Sequence, residues 1–191
     1  MSGLIAVGYF LVSLLFDLIL FMLWTRVALR YLRISSLNPF SRLIYTLTNP
    51  VVRPLYFLLK YKDQAKQRYD WPVFILIVLT EILKVIFLSL IVFQAFLPPV
   101  YILIFALADF IIQPCNLLFF ALLIRVVMSY VNPYWNHPIA DFLRLLTHPL
   151  LILGRKIIPD ISGFDFSPFI IMIILKVITL FIHASLPLSL L

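Results

Sequence analysis

Residues 73–97, VFILIVLTEILKVIFLSLIVFQAFL, decide the fold class of this protein. The stretch contains 25 residues, of which only Glu81 and Lys84 are ionisable. A helix needs roughly 20 consecutive apolar residues to cross the hydrocarbon core of a bilayer. Three further stretches are near or above that length: residues 4–24, 101–128 and 169–186. The sequence therefore predicts an all-α membrane protein with four transmembrane helices.

The composition agrees with a membrane protein. Apolar residues make up 64% of the 191 residues and charged residues 12%, whereas soluble domains carry about 25% charged residues. Since the four stretches and their connections use the whole sequence, we expect no separate soluble catalytic domain. The first stretch lacks a basic segment and a small-residue cleavage site, so we expect a retained helix rather than the alternative, a cleaved signal peptide.

The basic residues are concentrated in two connections. The formal net charge is +7, and nine of the fifteen Lys and Arg residues fall within 26–68, while four more fall within 125–156. The positive-inside rule then predicts that both basic connections are cytoplasmic and that both termini lie on the opposite side. A cationic rim beside anionic headgroups explains the charge without a nucleic-acid partner. Cys115 is the only cysteine, so no internal disulfide is expected.

An offset of 99 residues relates the two halves of the chain. Over residues 17–54, ten of 38 positions are identical to those 99 residues later, without a gap. The shared residues include Arg26 and Arg125, Pro39 and Pro138, Thr48 and Thr147, and Pro50 and Pro149. Two tandem helical-hairpin repeats are predicted, 1–98 and 99–191, with transmembrane segments at about 4–32, 72–97, 100–130 and 166–186. Because each repeat crosses the membrane twice, the repeats run parallel, and a pseudo-twofold axis along the membrane normal is expected.

Each basic connection is predicted to form a short amphipathic element at the cytoplasmic interface. Asn38 suits a helix N-cap and Pro39 the first helical position, and apolar residues follow at helical spacing in both connections. The pairs Asn49-Pro50 and His148-Pro149 predict a break, since proline disfavours helical geometry in the residue before it. We therefore expect a helix, a break and a second helix in each connection, either in the interface or dipping shallowly into the headgroups.

Ionisable residues inside the apolar stretches are the candidates for a functional site, because each costs on the order of 3 kcal/mol at a helix centre. Glu81 and Lys84 lie three residues apart on one helix face, so they are expected to neutralise each other. Arg26 and Arg125, near the cytoplasmic helix ends, either reach lipid phosphates or organise the connections or a central polar seam. Asp109 is expected near the outer interface, without a role. The candidate polar seam comprises Asp17, Arg26, Glu81, Lys84, Arg125 and Lys176.

No sequence motif points to catalysis, a metal or a cofactor. His137, His148 and His183 lack the spacing of a metal site. The chain has no C-x-x-C-H haem attachment motif, no glycine-rich phosphate loop and no readable Ser/His/Asp arrangement. It contains only four glycines, which further weakens a nucleotide-binding loop. We therefore expect a protein that is not an enzyme and that binds no cofactor or metal.

The repeat motifs resemble those of the YggT family of bacterial membrane proteins. The matching segments are Arg26, 38–41 and 48–50 in the first half, and Arg125, 147–149, 155–159 and 163–168 in the second. The resemblance covers nearly the whole chain, although residues 56–69 depart from the Arg-x-Ile-Pro and Gly-x-Asp pattern of the second half. It implies a two-repeat, multi-pass protein of the bacterial inner membrane, or of plastid membranes in relatives, linked to osmotic or ion homeostasis, envelope and division processes, or cytochrome assembly. In a bacterial inner membrane, the positive-inside rule then predicts periplasmic termini.

The resemblance adds a set of candidate motif and interfacial residues. Asp165 and Ser167 are expected to act as turn and N-cap residues of the last helix, with Pro168 at its first position. Alternatively, Asp165 pairs with Arg155 or Lys156 and holds the amphipathic element against the membrane helices. The full set is Asn38, Pro39, Thr48, Pro50, Thr147, Pro149, Arg155, Lys156, Pro159, Asp165, Ser167 and Pro168.

Two functions remain open from the sequence. The first is a non-enzymatic scaffold or regulatory factor that contacts the bilayer, its anionic headgroups, and other membrane proteins or a second copy of itself. The second is a small ion or solute conduit, or a transport modulator, with a polar seam between the repeats. Convergence of the ionisable residues on one water-accessible cavity favours transport, whereas their dispersal favours the scaffold.

Overall fold

The computed structural model describes residues 3–35, 38–60, 69–131, 137–157 and 165–186, and Pro159 lies outside them. Within these ranges the chain forms six α-helices and no strand: α1 (Gly3–Tyr31), α2 (Pro39–Leu58), α3 (Trp71–Phe93), α4 (Pro99–Val131), α5 (Pro138–Ile157) and α6 (Ser167–Ser185). Helices α1, α3, α4 and α6 are long and apolar enough to cross a membrane. The predicted all-α fold with four membrane-spanning helices is confirmed.

Local sequence signals set the start of α2 and the end of α3. The Asn38 side chain accepts a hydrogen bond from the backbone N–H of Phe40 at 2.9 Å, with Pro39 at the first helical position, as predicted. Helix α3 ends at Phe93 rather than at residue 97, because Gln94 adopts the left-handed conformation (φ 53°) that terminates a helix. The apolar run continues past Gln94 to residue 97. Hydropathy alone therefore could not locate the end of α3.

The start of α6 is set by Asp165 rather than by Ser167. Asp165 Oδ1 accepts a hydrogen bond from the backbone N–H of Ser167 at 2.9 Å, and Pro168 is the second helical residue. The N-cap prediction for Ser167 is wrong, because this residue is already helical and its buried hydroxyl has no hydrogen-bond partner among the described residues. The acid two residues earlier satisfies the free backbone N–H instead.

The predicted break within each connection is absent. Helix α2 continues through Pro50 and Pro54, and α5 continues through Pro149. A proline removes one backbone hydrogen bond and strains the preceding turn, but here buried residues lie on both sides of it at helical spacing. Thr48 and Val52 flank Pro50 on the buried face of α2. Packing on both sides therefore outweighs the local preference for a break.

Helices α2 and α5 meet at one end of the four spanning helices. The rings of Phe40 in α2 and Phe142 in α5 lie 5.1 Å apart between centroids. Both helices belong to one buried apolar cluster with α1 and α4, which includes Leu29, Ile44 and Ala121. Both connections therefore lie on the same side of the bundle.

The spanning helices depart from the expected twofold arrangement. Helix α3 packs against α4, for instance through buried Val85 and Phe105. The described residues show no comparable packing of α6 against α1. Under a twofold axis these two contacts would be equivalent. The bundle is therefore open between α1 and α6, and this opening borders the candidate site described below.

Helix α5 approaches the start of α6 closely at Gly154. A Cβ atom placed on Gly154 would lie 2.8 Å from Ser167 Cβ and 3.1 Å from the Ser167 carbonyl oxygen. The oxygen belongs to the backbone and the Cβ atom is bonded directly to it, so neither atom can rotate away from the added Cβ. The glycine therefore sets the distance between the second connection and the last spanning helix.

We expect Gly154→Ala to lower the thermal unfolding midpoint in mild detergent, because overpacking of this kind typically costs about 1–3 kcal/mol. Gly8→Ala is the matched control, since its added Cβ would meet only Ile91 at an ordinary 3.9 Å. Unfolding followed by circular dichroism measures both variants. Equal midpoints for the two alanine variants would contradict the close approach.

Candidate functional site

A buried ion-pair cluster connects three of the spanning helices. Lys84 of α3 donates a hydrogen bond to Asp17 Oδ1 of α1 at 2.7 Å and a second one to Asp109 Oδ2 of α4. The side chains of Lys84 and Asp109 are buried, whereas that of Asp17 is 41% exposed. Since a buried ion needs a close partner to offset its desolvation, Lys84 holds the three helices in one fixed arrangement.

Asp17 has further donors from its own helix and from α4. Ser13 Oγ donates to Asp17 Oδ2 at 3.1 Å, and Gln113 Nε2 donates to Asp17 Oδ1 at 2.8 Å. The carboxylate therefore accepts three hydrogen bonds, counting that of Lys84. These hydrogen bonds hold the carboxylate between α1, α3 and α4.

Glu81 is fully buried beside this cluster but is not the partner of Lys84. Neither of its carboxylate oxygens has a hydrogen-bond partner among the described residues. Its carboxyl lies within electrostatic reach of Asp109, Lys84 and Asp17. The predicted neutralisation between Glu81 and Lys84 is thus wrong, because the ammonium group extends to two carboxylates on neighbouring helices.

Asp109 has the opposite position from the one predicted. It lies ten residues after Pro99, the first residue of α4, which corresponds to about 15 Å along the helix. Its side chain is buried against Lys84 rather than placed at the outer interface. The sequence did not reveal this pairing, because Asp109 lies 25 residues after Lys84 and on a different helix.

A cavity of about 290 Å³ borders the cluster on the side where α1 and α6 do not pack together. Asp17, Lys84, Asp109 and Gln113 line it. Further polar residues of its lining are Ser13, Asn116 and His183. A polar, partly open cavity of this size is large enough for several water molecules.

Arg26 does not join the cluster. Its Nη1 atom donates to Thr48 Oγ1 at 2.7 Å and to Asn49 Oδ1 at 3.0 Å, and its guanidinium lies 4.7 Å from the Tyr45 ring centroid. Arg26 is buried, and all these partners belong to α2. It therefore attaches the first connection to α1.

Arg125 makes the equivalent contact 99 residues later. Its Nη1 atom donates to Thr147 Oγ1 at 2.7 Å and to the Arg144 carbonyl oxygen at 3.1 Å, both on α5. Lys176 lies 5.0 Å from the Phe119 ring centroid, a cation–π contact with α4. Three of the six predicted seam residues, Arg26, Arg125 and Lys176, thus lie away from the cluster.

An acid before α3 links the first connection to α1. Asp70 accepts hydrogen bonds from Arg30 Nη1 at 2.7 Å and from the Tyr56 hydroxyl. Burial and the bond to Asp70 raise the pKa of Tyr56 above its ordinary value, so the phenol keeps its proton and acts as the donor. The sequence did not reveal this contact, because Asp70 lies 14 residues from Tyr56 and 40 from Arg30.

An acid before α6 attaches the second connection to the start of α6. Arg155 Nη2 donates to Asp165 Oδ2 at 2.7 Å, which is the pairing that the sequence offered as an alternative. Although burial raises the pKa of Asp165, hydrogen bonds from Ser167 and Arg155 outweigh it and hold the pKa below its usual value. Lys156 is exposed beside this pair.

Within the described ranges, no three His, Cys, Asp or Glu side chains are grouped so as to hold a metal ion. The contacts at the site are ion pairs and hydrogen bonds between neighbouring helices.

We expect Lys84→Met to lower the free energy of unfolding by about 3–5 kcal/mol, because it leaves buried carboxyl groups without their cation. Lys176→Met is the matched control, since it removes a lysine of a spanning helix whose ammonium group lies over an aromatic ring. Thermal unfolding in mild detergent, followed by tryptophan fluorescence, compares them. A loss of stability no larger than that of the control would contradict the role of Lys84.

Comparisons with known proteins agree with this architecture. The sequence model of the CCB3/YggT family matches residues 104–186. A Vibrio alginolyticus protein, described as an uncharacterized protein in the proC 3′ region, is 32% identical over 166 residues, which cover 86% of each chain. No solved structure matches. The uncharacterized protein YggT of Escherichia coli (strain K12) is 30% identical over 172 residues, 90% of this chain and 86% of the relative, and the chain therefore belongs to the CCB3/YggT family.

Proposed function

We propose that this protein is a non-enzymatic scaffold or regulatory factor of the inner membrane, acting in envelope, osmotic or ion homeostasis or in membrane-complex assembly. The observation that carries this proposal is the paired attachment of α2 and α5. Arg26 and Arg125 bind these helices through Thr48 and Thr147, at the same end of the bundle. Two fixed helices on one side of the membrane form a platform, which suits a role in contact rather than in catalysis.

The outward surfaces of both helices suit the boundary between headgroups and acyl chains. Arg42 and Arg53 of α2 and Lys156 of α5 are exposed. Exposed apolar residues lie beside them, such as Leu43 and Leu153. Helices with this mixture lie in the interface plane and are attracted to anionic lipids. With the basic connections in the cytoplasm, the platform contacts the inner leaflet and both termini are periplasmic.

A cavity at the same end of the bundle supports contact with headgroups. It has a volume of about 410 Å³ and lies between α4, α5 and α6. Arg125, Arg155, Ser129 and Tyr130 contribute to its lining. Guanidinium and hydroxyl groups are the donors that phosphate oxygens accept from in proteins.

The tandem repeat deepens this proposal. The bounds of α2 and α5 differ by 99 residues at both ends, Pro39 to Pro138 and Leu58 to Ile157, as the sequence offset predicts. Two copies of one hairpin, 1–98 and 99–191, would present two similar surfaces to the membrane and to partner proteins.

We expect the protein purified in mild detergent to retain anionic phospholipid, and Arg42→Gln/Arg53→Gln to retain several-fold less, because two exposed cations are removed. His148→Gln is the matched control, an exposed substitution on α5 that changes no formal charge. Lipid mass spectrometry and co-purification measure lipid and partner proteins. A monomer without partner proteins, equally lipid-poor in all three forms, would contradict the scaffold.

The second candidate function is a small ion or solute conduit or a transport modulator. The observation that favours it is the cavity lined by Asp17, Lys84 and Asp109 within the spanning helices. Charged residues at this depth often mark ion or proton pathways. Arg26 and Arg125 do not reach the cavity, which is why transport is the second candidate.

If the protein conducts ions, liposomes containing it should pass protons, Na⁺ or K⁺ faster than empty vesicles, and Asp17→Asn should slow this flux. The reason is that Asp17 is the partly exposed carboxylate of the cavity. Lys176→Met serves as the control away from the cavity. Flux equal to that of empty vesicles for every ion would exclude this function.

A further inference from the structure

The ion-pair cluster contains more acids than bases. Asp17, Glu81 and Asp109 surround Lys84, so that three carboxyl groups face one ammonium group. Among the described residues, Lys84 is the only cation whose charge acts on Glu81. With every group ionised the cluster would carry two uncompensated negative charges inside the membrane, where even one is costly.

Glu81 is the carboxyl group least able to remain ionised. Asp17 accepts hydrogen bonds from Lys84, Ser13 and Gln113, and Asp109 accepts one from Lys84. Glu81 is 0% exposed and receives none from the described residues. An ionised carboxylate can only accept hydrogen bonds, whereas the protonated acid supplies its own O–H donor. With Asp109 beside it, a protonated Glu81 has an acceptor for that donor.

We propose that the cluster binds one exchangeable proton, carried by Glu81 and shared with Asp109, with water in the cavity as the source of the proton. This goes beyond both candidate functions, since neither a scaffold nor a conduit requires it. The transfer is balanced: the Glu81 O–H bond breaks, an O–H bond forms on Asp109, and the negative charge moves to Glu81. Asp109 then releases the proton to water in the cavity that it lines.

The charged groups around Glu81 determine how its proton is bound and lost. Helix α1 contributes Asp17, α3 Lys84 and α4 Asp109, and Tyr9 of α1 lies within electrostatic reach of these three groups. Helix α2 also packs on α3 but contributes no titratable group whose charge acts on Glu81, and His183 of α6 faces the cavity. Loss of the proton places a third negative charge around Lys84. Binding or loss of this proton therefore changes the charge around Lys84, whose ion pairs hold α1, α3 and α4 together.

A hydrophobic carbodiimide tests the proposal in the full chain reconstituted in liposomes, because this reagent modifies protonated carboxyl groups in apolar surroundings. Glu81 is the only glutamate of the chain, so the modified peptide identifies it. We expect one adduct on Glu81 or Asp109 at neutral pH, falling several-fold as the pH rises. Glu81→Gln should abolish it, and Asp141→Asn, which changes an exposed acid of α5, should not.

Infrared spectroscopy of the unmodified protein keeps the test independent of any variant's folding. A carboxylic acid C=O band that shifts within minutes of transfer to D₂O would support an exchangeable proton. The absence of this band, a band that does not exchange, or an adduct whose yield does not depend on pH would each overturn the proposal. None of these results depends on lipid retention or ion flux. A failure of the proton-binding proposal is therefore distinguishable from a failure of the scaffold or of the conduit.

Discussion

The bundle depends on the two ion pairs of Lys84. A lysine in the middle of a spanning helix is unfavourable unless a counter-charge lies within direct reach. Lys84 has such a charge on each side, Asp17 on α1 and Asp109 on α4. Much of the packing between α1 and α3 is apolar, as where Leu20 and Leu23 lie in one cluster with Val73 and Ile77. Apolar side chains alone give little preference for one rotation of a helix over another in lipid. The ion pairs therefore fix how the three helices face one another.

A second set of polar contacts lies at the end of the bundle where α2 and α5 meet. Arg26 and Arg125 hold α2 and α5 through threonine hydroxyls, and Asp70 and Asp165 hold the starts of α3 and α6. Each connection is thereby attached to the spanning helix before it and to the one after it. The platform and the intramembrane cluster are separate, so a change at the surface of α2 leaves the Lys84 contacts intact.

Hydropathy predicted the four spanning helices because membrane thickness sets a length that apolar runs must match. The sequence offered a pairing of Asp165 with Arg155 or Lys156 as an alternative, and in the structure Arg155 is the partner. The partners of Lys84 were missed for a physical reason: α3 and α4 are apolar on all sides, so the sequence does not tell which faces meet. The continuity of α2 through Pro50 was missed because it depends on packing that a local rule cannot include.

The order of synthesis gives the ion-pair cluster a further consequence. Asp17, Glu81 and Lys84 belong to the first two spanning helices, whereas Asp109 belongs to the third. Because the ribosome delivers a chain from its N-terminus, Asp17 and Lys84 reach the insertion machinery before Asp109 does. Lys84 thus has one counter-charge within the first hairpin, Asp17, and its second, Asp109, comes from the other half of the chain, so this ion pair joins the two halves.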